Sequence, residues 1–279
     1  MDKSMIRSQW EQAAPGWAKW EEFTDRWAEP ATNAMLDLAA VVSGARVLDI
    51  ASGAGSQTLT AARTVGSSGH VVASDISETM LQHVRENARA AGLANITTLC
   101  GAADDLEVPD QSFDAVICRL GLMLFPDPRS ALLAFKRALK PGGRVAVVVF
   151  TTPAANPSRS QAMQILLRHA GKPPPVPGQP GMYALGGAGI MERLYAEAGF
   201  VDVARREFRI PMVMDSAADA LHMMQEAFGA YRAVLSDCSE DVRKAAWAEV
   251  AGMLKSFETD GKFVAPSELL VAAATKPAA

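Results

Sequence analysis

Between residues 46 and 150 the chain alternates short apolar runs with segments that place an apolar residue every three or four positions. Arg46–Ile50 reads as a strand, Ser56–Thr64 as a helix and His70–Ser74 as a second strand. A helix N-capped by Ser77 runs to Ala91 and stops at Gly92. Ile96–Leu99 and Ser112–Arg119 supply two more strands, and a helix over Arg129–Leu139 ends at Pro141, Gly142 and Gly143. Arg144–Phe150 is so uniformly apolar that both its faces must be buried. Strands alternating with helices around such a strand predict an α/β, doubly wound, parallel sheet with right-handed crossovers.

Outside that stretch the pattern changes. Residues 1–40 read as a helical segment ahead of the core at 41–150. It carries Trp10, Trp17, Trp20 and Trp27; the first three are spaced for one helix face, but Pro15 and Gly16 predict a break into two short helices. Pro30 predicts the start of a helix through Ala40. Residues 151–189 are rich in Pro and Gly, as in "GKPPPVPGQPG" at 171–181, with one helix over about Arg159–His169. The core rhythm resumes at 190–213, with a helix Ile190–Ala198 and a strand Val201–Val213. Residues 214–260 are helical from Asp215 to Phe257, in two pieces broken near Ser236–Asp241, and 261–279 hold a last strand, Phe263–Thr275. The segments 151–189 and 214–260 are thus insertions that cap one end of the sheet.

Composition narrows the function classes. The net charge is −4 and no Lys/Arg stripe exists, which argues against a nucleic-acid partner. No apolar run approaches the roughly 18 residues of an integral membrane segment. The first residues are polar and aromatic rather than those of a secretory leader. Cys100, Cys118 and Cys238 are far apart without metal-ligand spacing, which predicts no metal site and a reducing, cytoplasmic compartment. Cys100 and Cys118 lie in apolar runs and are expected in the core.

The chemistry concentrates after the first strand. In "VLDIASGAGS" (47–56) an acidic residue, Asp49, interrupts an apolar run just ahead of Gly53 and Gly55. A buried carboxylate is costly unless paired, so Asp49 is either wet at the strand end or faces a ligand. The loop falls at the carboxyl edge of the sheet, where ligands bind in doubly wound folds, and opens onto a helix N-terminus. Asp75, at the end of the second strand, is placed to accept hydrogen bonds from two ribose hydroxyls. A dinucleotide fingerprint would need a third glycine where Thr58 stands, and Asp49 would repel a pyrophosphate. An ammonium group would be attracted instead. A ligand with a ribose and a positive centre follows: S-adenosyl-L-methionine.

Asp49-x-Ala51-x-Gly53-x-Gly55, "SDIS" at 74–77, "FDAVICRLGLMLFPDP" at 113–128 and "LKPGGR" at 139–144 together resemble the class I S-adenosylmethionine-dependent methyltransferases, within them the ubiquinone/menaquinone-biosynthesis branch. "LYAEAGFVDV" at 194–203 adds weaker support. The resemblance implies a seven-stranded, mostly parallel Rossmann-like sheet with a reversed final strand. It implies that Asp49 and the backbone of Ala51, Ser52, Gly53 and Gly55 hold the methionine part, that Asp75 binds the ribose, and that Ile76 and Met80 line the adenine side. Ala103 and Asp104 would meet the adenine edge, by a backbone N–H and a carboxylate; Arg119 and Leu120 would face the methionine and substrate. Two positions depart from the family pattern. Ala51 replaces its usual first glycine, tolerable if φ stays negative, and Ala102 replaces a frequent Asp, so Asp104 takes the adenine amine or the contact is through backbone only.

In related enzymes an N-terminal segment closes over the cofactor, so Trp17 is either core or stacked near the sulfonium. Trp17, Met123, Met214 and Met223 are the candidate substrate-pocket lining, with plain packing as the alternative for the methionines. His169 and His222, in the two caps, and Arg119 are the candidate catalytic groups. The reading is a methyltransferase acting on a small, largely apolar or aromatic metabolite, quinone-like or phenolic, with oxygen, nitrogen and carbon acceptors all open on this fold. The alternatives are a cofactor-binding protein without catalysis and an NAD-dependent oxidoreductase.

Overall fold

In the computed structural model, residues 3–176 and 178–278 are described. Met1, Asp2, Pro177 and Ala279, which fall within the segments read as 1–40, 151–189 and 261–279, lie outside the described residues. Helices α1 (Lys3–Lys19) and α2 (Glu21–Leu38) come first. The core follows as β1 (Arg46–Ile50), α3 (Ser56–Val65), β2 (His70–Asp75), α4 (Glu78–Ala90), β3 (Ile96–Cys100), β4 (Phe113–Arg119), α5 (Pro128–Ala138) and β5 (Leu139–Phe150). The chain then runs α6 (Pro157–His169), α7 (Ile190–Glu197), β6 (Val201–Arg209), β7 (Met212–Met214), α8 (Ala217–Glu226), α9 (Gly229–Val234), α10 (Glu240–Lys255), β8 (Glu258–Thr259), β9 (Lys262–Ala265) and β10 (Glu268–Thr275).

Seven strands form the central sheet in the order β3-β2-β1-β4-β5-β10-β6, parallel from β3 to β5, with β10 antiparallel to both its neighbours. Val145–Phe150 is buried throughout, as its apolar run requires. The order reverses between β1 and β4, and at that point the carboxyl ends of the strands open a crevice.

Two expected strands are each broken by a proline. Val201–Val213 splits at Ile210–Pro211 into β6 and β7, and Phe263–Thr275 splits at Pro266–Ser267 into β9 and β10. A proline has no N–H for the ladder, so both strands leave the main sheet at that point. The released pieces pair with each other, Met212 opposite Ala265 and Met214 opposite Phe263, and with β8 they form a small second sheet. Ile210 N–H donates to the Ser267 carbonyl at 2.9 Å and ties the two corners together.

The N-terminal helices also differ from expectation. Pro15 lies inside α1 and Pro30 inside α2; neither breaks nor starts a helix, and the break comes at Trp20. Both prolines face solvent, where water can take the freed carbonyl. On the opposite side packing decides: Ala13 and Ala14 are buried, and a Cβ on Gly16 would lie 2.0 Å from the Glu226 carbonyl oxygen. Helix α1 therefore crosses α8 at a distance only glycine allows. The 215–257 region forms three helices rather than two. Arg232 Nη1 donates to the Glu226 carbonyl at 2.6 Å, capping the end of α8 before α9 begins. Cys118 is buried in the core but Cys100 is exposed, because β3 is the sheet edge and Cys100 is its last residue.

Candidate functional site

Asp49 is fully buried at the end of β1. Thr58, on the first turn of α3, donates its hydroxyl to Asp49 Oδ2 at 2.5 Å, and Gln57 Nε2 approaches Oδ1 at 3.4 Å. Thr58 thus stands where a dinucleotide loop has its third glycine because Asp49 needs a donor there. Those bonds do not offset desolvation, and burial pushes the Asp49 carboxyl up to about 7. The loop that follows is strained. Ala51 adopts φ +54°, against the expectation of a negative φ, and Gly53 and Gly55 adopt +56° and +106°. A Cβ at Gly121 would lie 2.6 Å from the Ala51 Cβ, so Gly121 is required where the β1 and β4 loops meet. Leu120, after β4, is also left-handed, at φ +61°. Two non-glycine residues held left-handed at adjacent strand ends point to a functional crevice.

Asp75 lies across the same crevice. Its Oδ2 accepts the Gly53 N–H at 3.0 Å and its Oδ1 the Ser77 N–H at 2.9 Å, which ties the glycine loop to the end of β2. Burial raises its carboxyl to about 6. An ionised carboxylate has about four acceptor positions, so Asp75 keeps acceptor capacity for a ligand hydroxyl beyond its backbone partners. Ser52 Oγ, in the loop, is buried with no partner, and a Cβ on Gly53 would meet nothing within 4 Å. Open space, an orphaned hydroxyl and two protonatable carboxylates fit a ligand that carries a cation and hydroxyls.

Arg119 ends β4 with its side chain only 7% exposed. It donates to Thr32 Oγ1 at 3.0 Å and to Ser56 Oγ, and lies 3.5 Å from Asp25 Oδ1. It therefore clamps α2, the start of α3 and β4 together, and its charge lowers the Asp49 carboxyl against burial. Glu21, on α2, accepts from Asn87 Nδ2 at 2.8 Å, and the same amide donates to the Ala54 carbonyl at 3.1 Å. Glu11, on α1, accepts the Glu78 N–H at 2.8 Å at the start of α4. Thr32, Glu21 and Glu11 were not singled out from sequence; each is one polar residue on a helix face with no local signal of its distant partner.

Beyond the end of β2, Ile76, Gly101, Ala102 and Asp105 line an open cavity of about 290 Å³ together with Lys3 and Arg7 of α1. Met80 is buried behind it. Neither Ala103 nor Asp104 is among the lining residues, and the Asp104 carboxylate pairs with Lys3, which is, at 3.1 Å. The cavity is thus lined at this point by Gly101 and Ala102 rather than by Ala103 and Asp104.

The remaining sequence candidates separate. Met123, Met214 and Met223 are buried in the core. Trp17 packs 5.5 Å from Phe228 and 6.5 Å from Trp10, and its Nε1 is buried without a partner. His169 is held against Glu249 at 2.7 Å on the outer side of α6, and His222 is exposed on α8. His169 is thus taken up where α6 meets α10, and His222 faces solvent; among the described residues neither bonds to the groups around the loop. Sequence reasoning passed over Arg159, which is 1% exposed beneath the caps. An arginine in the first turn of a helix reads as a surface residue, and only the fold shows it buried.

Comparison with known proteins agrees with this geometry. Residues 24–170 match the model of the ubiE/COQ5 methyltransferase family. Among curated relatives, the ubiquinone/menaquinone biosynthesis C-methyltransferase UbiE of Pasteurella multocida is 40% identical over 123 residues, 44% of this chain and 46% of that protein. The UbiE of Cronobacter sakazakii is 39% identical over 44% of this chain and 49% of its own. The chain spans about half the length of these relatives. Among solved structures, the YcgJ protein of Bacillus subtilis superposes with a TM-score of 0.60 at 17% identity, covering 89% of this chain and 99% of that one. The [4+2]-cyclase SpnF gives 0.57 at 17% identity, covering 96% of each. These likenesses show the Rossmann-like fold, and the family match over more than half of the chain places it: the protein belongs to the ubiE/COQ5 methyltransferase family.

Proposed function

We propose that the chain is an S-adenosyl-L-methionine-dependent methyltransferase that acts in the cytoplasm. It transfers a methyl group by in-line displacement to a small, largely apolar or aromatic acceptor, quinone-like or phenolic. The observation that carries this is the pair of buried carboxylates, Asp49 and Asp75, at the carboxyl ends of the adjacent parallel strands β1 and β2, in a chain of this family. Asp49 would meet the ammonium of the cofactor, and Asp75 its ribose hydroxyls. The Ala51–Gly55 backbone would follow the methionine part, and Ile76 with the Gly101–Ala102 backbone would enclose the adenine. Helices α1 and α2 act as a lid that excludes water from the crevice.

Bound there, the cofactor supplies a methyl group already activated on sulfur. The protein's share is alignment of the acceptor and exclusion of water, which needs little side-chain acid–base chemistry. The names of the curated relatives support a quinone-related acceptor.

Calorimetric titration of S-adenosylmethionine and S-adenosylhomocysteine into wild type and Asp75→Ala tests the cofactor. Micromolar binding that the substitution weakens more than about tenfold, about 1.4 kcal/mol, is expected; no binding to wild type overturns the reading. Formation of S-adenosylhomocysteine with a phenol and quinol panel then tests turnover. Tight binding without turnover on any of them would make this a cofactor-binding protein.

A further inference from the structure

Arg159 has no explanation in the cofactor site. Among the described residues it forms no ion pair with any carboxylate. Its guanidinium carbon lies 5.0 Å from the Trp27 ring centroid, 4.8 Å from Phe150 and 6.0 Å from Phe228. Nη1 donates to Ser267 Oγ at 3.2 Å, Nη2 meets only the Met212 sulfur at 3.1 Å, and Nε has no partner. A thioether is a weak acceptor, so the Nε–Nη2 edge is left nearly unsatisfied. That edge is the one a carboxylate takes with two parallel hydrogen bonds.

Its position adds to the problem. Arg159 is in the first turn of α6, where the helix dipole disfavours a cation. The preceding Ser158 Oγ is also buried and unpartnered. Burial lowers the Arg159 pKa from its ordinary value, and no carboxylate among the described residues pairs with it to oppose this. Aromatic faces recover part of a buried cation's desolvation, not its hydrogen bonds.

The place itself is next to the expected reaction. Phe150 ends β5 and Ser267 precedes β10, both at the carboxyl edge of the sheet that holds Asp49 and Arg119. Ser267 also lines a surface groove of about 490 Å³, with Ala155, Pro211, Pro266 and the Arg209–Glu268 ion pair, in which the Glu268 carboxylate is already neutralised at 2.8 Å. The guanidinium thus lies one hydroxyl behind the groove floor. Trp17 packs on Phe228, one of the three rings around the guanidinium.

We propose that Arg159 is the acceptor-binding residue of this enzyme, and that its substrate carries a carboxylate on an aromatic body. The carboxylate would accept from Nε and Nη2, displacing the Met212 contact, while Trp27, Phe150 and Phe228 receive the ring. This rests on the methyltransferase reading for its role, though the anion site stands on Arg159 alone.

The test titrates 2-naphthoate and its neutral isostere 2-naphthamide into the full-length protein saturated with S-adenosylhomocysteine. Wild type is expected to favour the naphthoate by tenfold or more. Arg159→Met should abolish the preference, and Arg159→Lys, which keeps the charge but not the fork, should reduce it. Equal affinity for the two probes in wild type, binding of neither, or a preference that survives Arg159→Met overturns the proposal. The wild-type comparison decides even if the methionine variant does not fold. Titration of S-adenosylhomocysteine alone separates the two readings: its failure with the naphthoate preference intact removes the methyltransferase assignment and leaves the anion site.

Discussion

Arg119 and Arg159 are both buried arginines at the same edge of one sheet, and their surroundings are opposites. Arg119 has Asp25, Thr32 and Ser56 on its donors and Asp49 within electrostatic reach. Arg159 has aromatic rings, one serine hydroxyl and a sulfur. The region around Arg119 is assembled from polar partners before any ligand arrives. The region around Arg159 holds a charge that no carboxylate among the described residues neutralises. A cation paired within the fold contributes to the fold, whereas an unpaired one detracts from it and is kept for something else.

Replacing each arginine by methionine sharpens that contrast, and gives the largest effect. Arg119→Met leaves Thr32 and Ser56 without their donor and Asp49 without its compensating charge, so urea unfolding should show a loss of about 3 kcal/mol. Arg159→Met keeps the volume and removes an unneutralised buried cation. It should be neutral or stabilising, by about 1 kcal/mol. A matching loss in both variants would mean that Arg159 is a structural part of the core and would break the comparison.

How much of this was legible beforehand follows the same division. The Asp49 loop could be read because its chemistry is local: carboxylate, glycines, helix start and the Asp75 strand end follow one another within thirty residues. Alternating periodicity also placed β1 to β5 well. The cap was not legible, because its chemistry is assembled from afar. Arg159 meets Trp27, Phe150, Met212, Phe228 and Ser267, residues that no spacing rule connects. The prolines misled in both directions. Pro15 and Pro30 are tolerated because they face water, while Pro211 and Pro266, inside apolar runs, mark strand breaks that hydrophobic pattern alone concealed.

A pH series probes the Arg119 side of the comparison with a smaller effect. Asp49 and Asp75 have folded-state pKa values of about 7 and about 6, above the ordinary 3.8. Between about pH 4 and 7 the native state therefore holds protons that the unfolded chain has released, and through these two groups stability falls as pH rises. Asp49→Asn should gain relative to wild type across that window in denaturant unfolding. Binding runs the other way, since an ammonium needs the ionised carboxylate. S-adenosylmethionine should bind wild type about tenfold more weakly at pH 6 than at pH 7.5, and in Asp49→Asn only the smaller dependence that Asp75 contributes should remain. A flat wild-type profile would place the ammonium away from Asp49.

The smallest effect belongs to Trp17, which separates lid from chamber. Its Nε1 is buried and makes no hydrogen bond, so Trp17→Phe removes a donor the fold does not use. The indole is only half-buried, and the ring contact to Phe228 at 5.5 Å is one a phenyl group can keep. Thermal unfolding without ligand should move by the equivalent of less than about 0.5 kcal/mol. If Trp17 belongs to the chamber around Arg159, the same substitution should still weaken 2-naphthoate, because a carboxylate seated there would offer the indole N–H its missing acceptor. An unchanged naphthoate affinity would confine Trp17 to the packing of α1 on the cap and leave Arg159 to bind the anion without it.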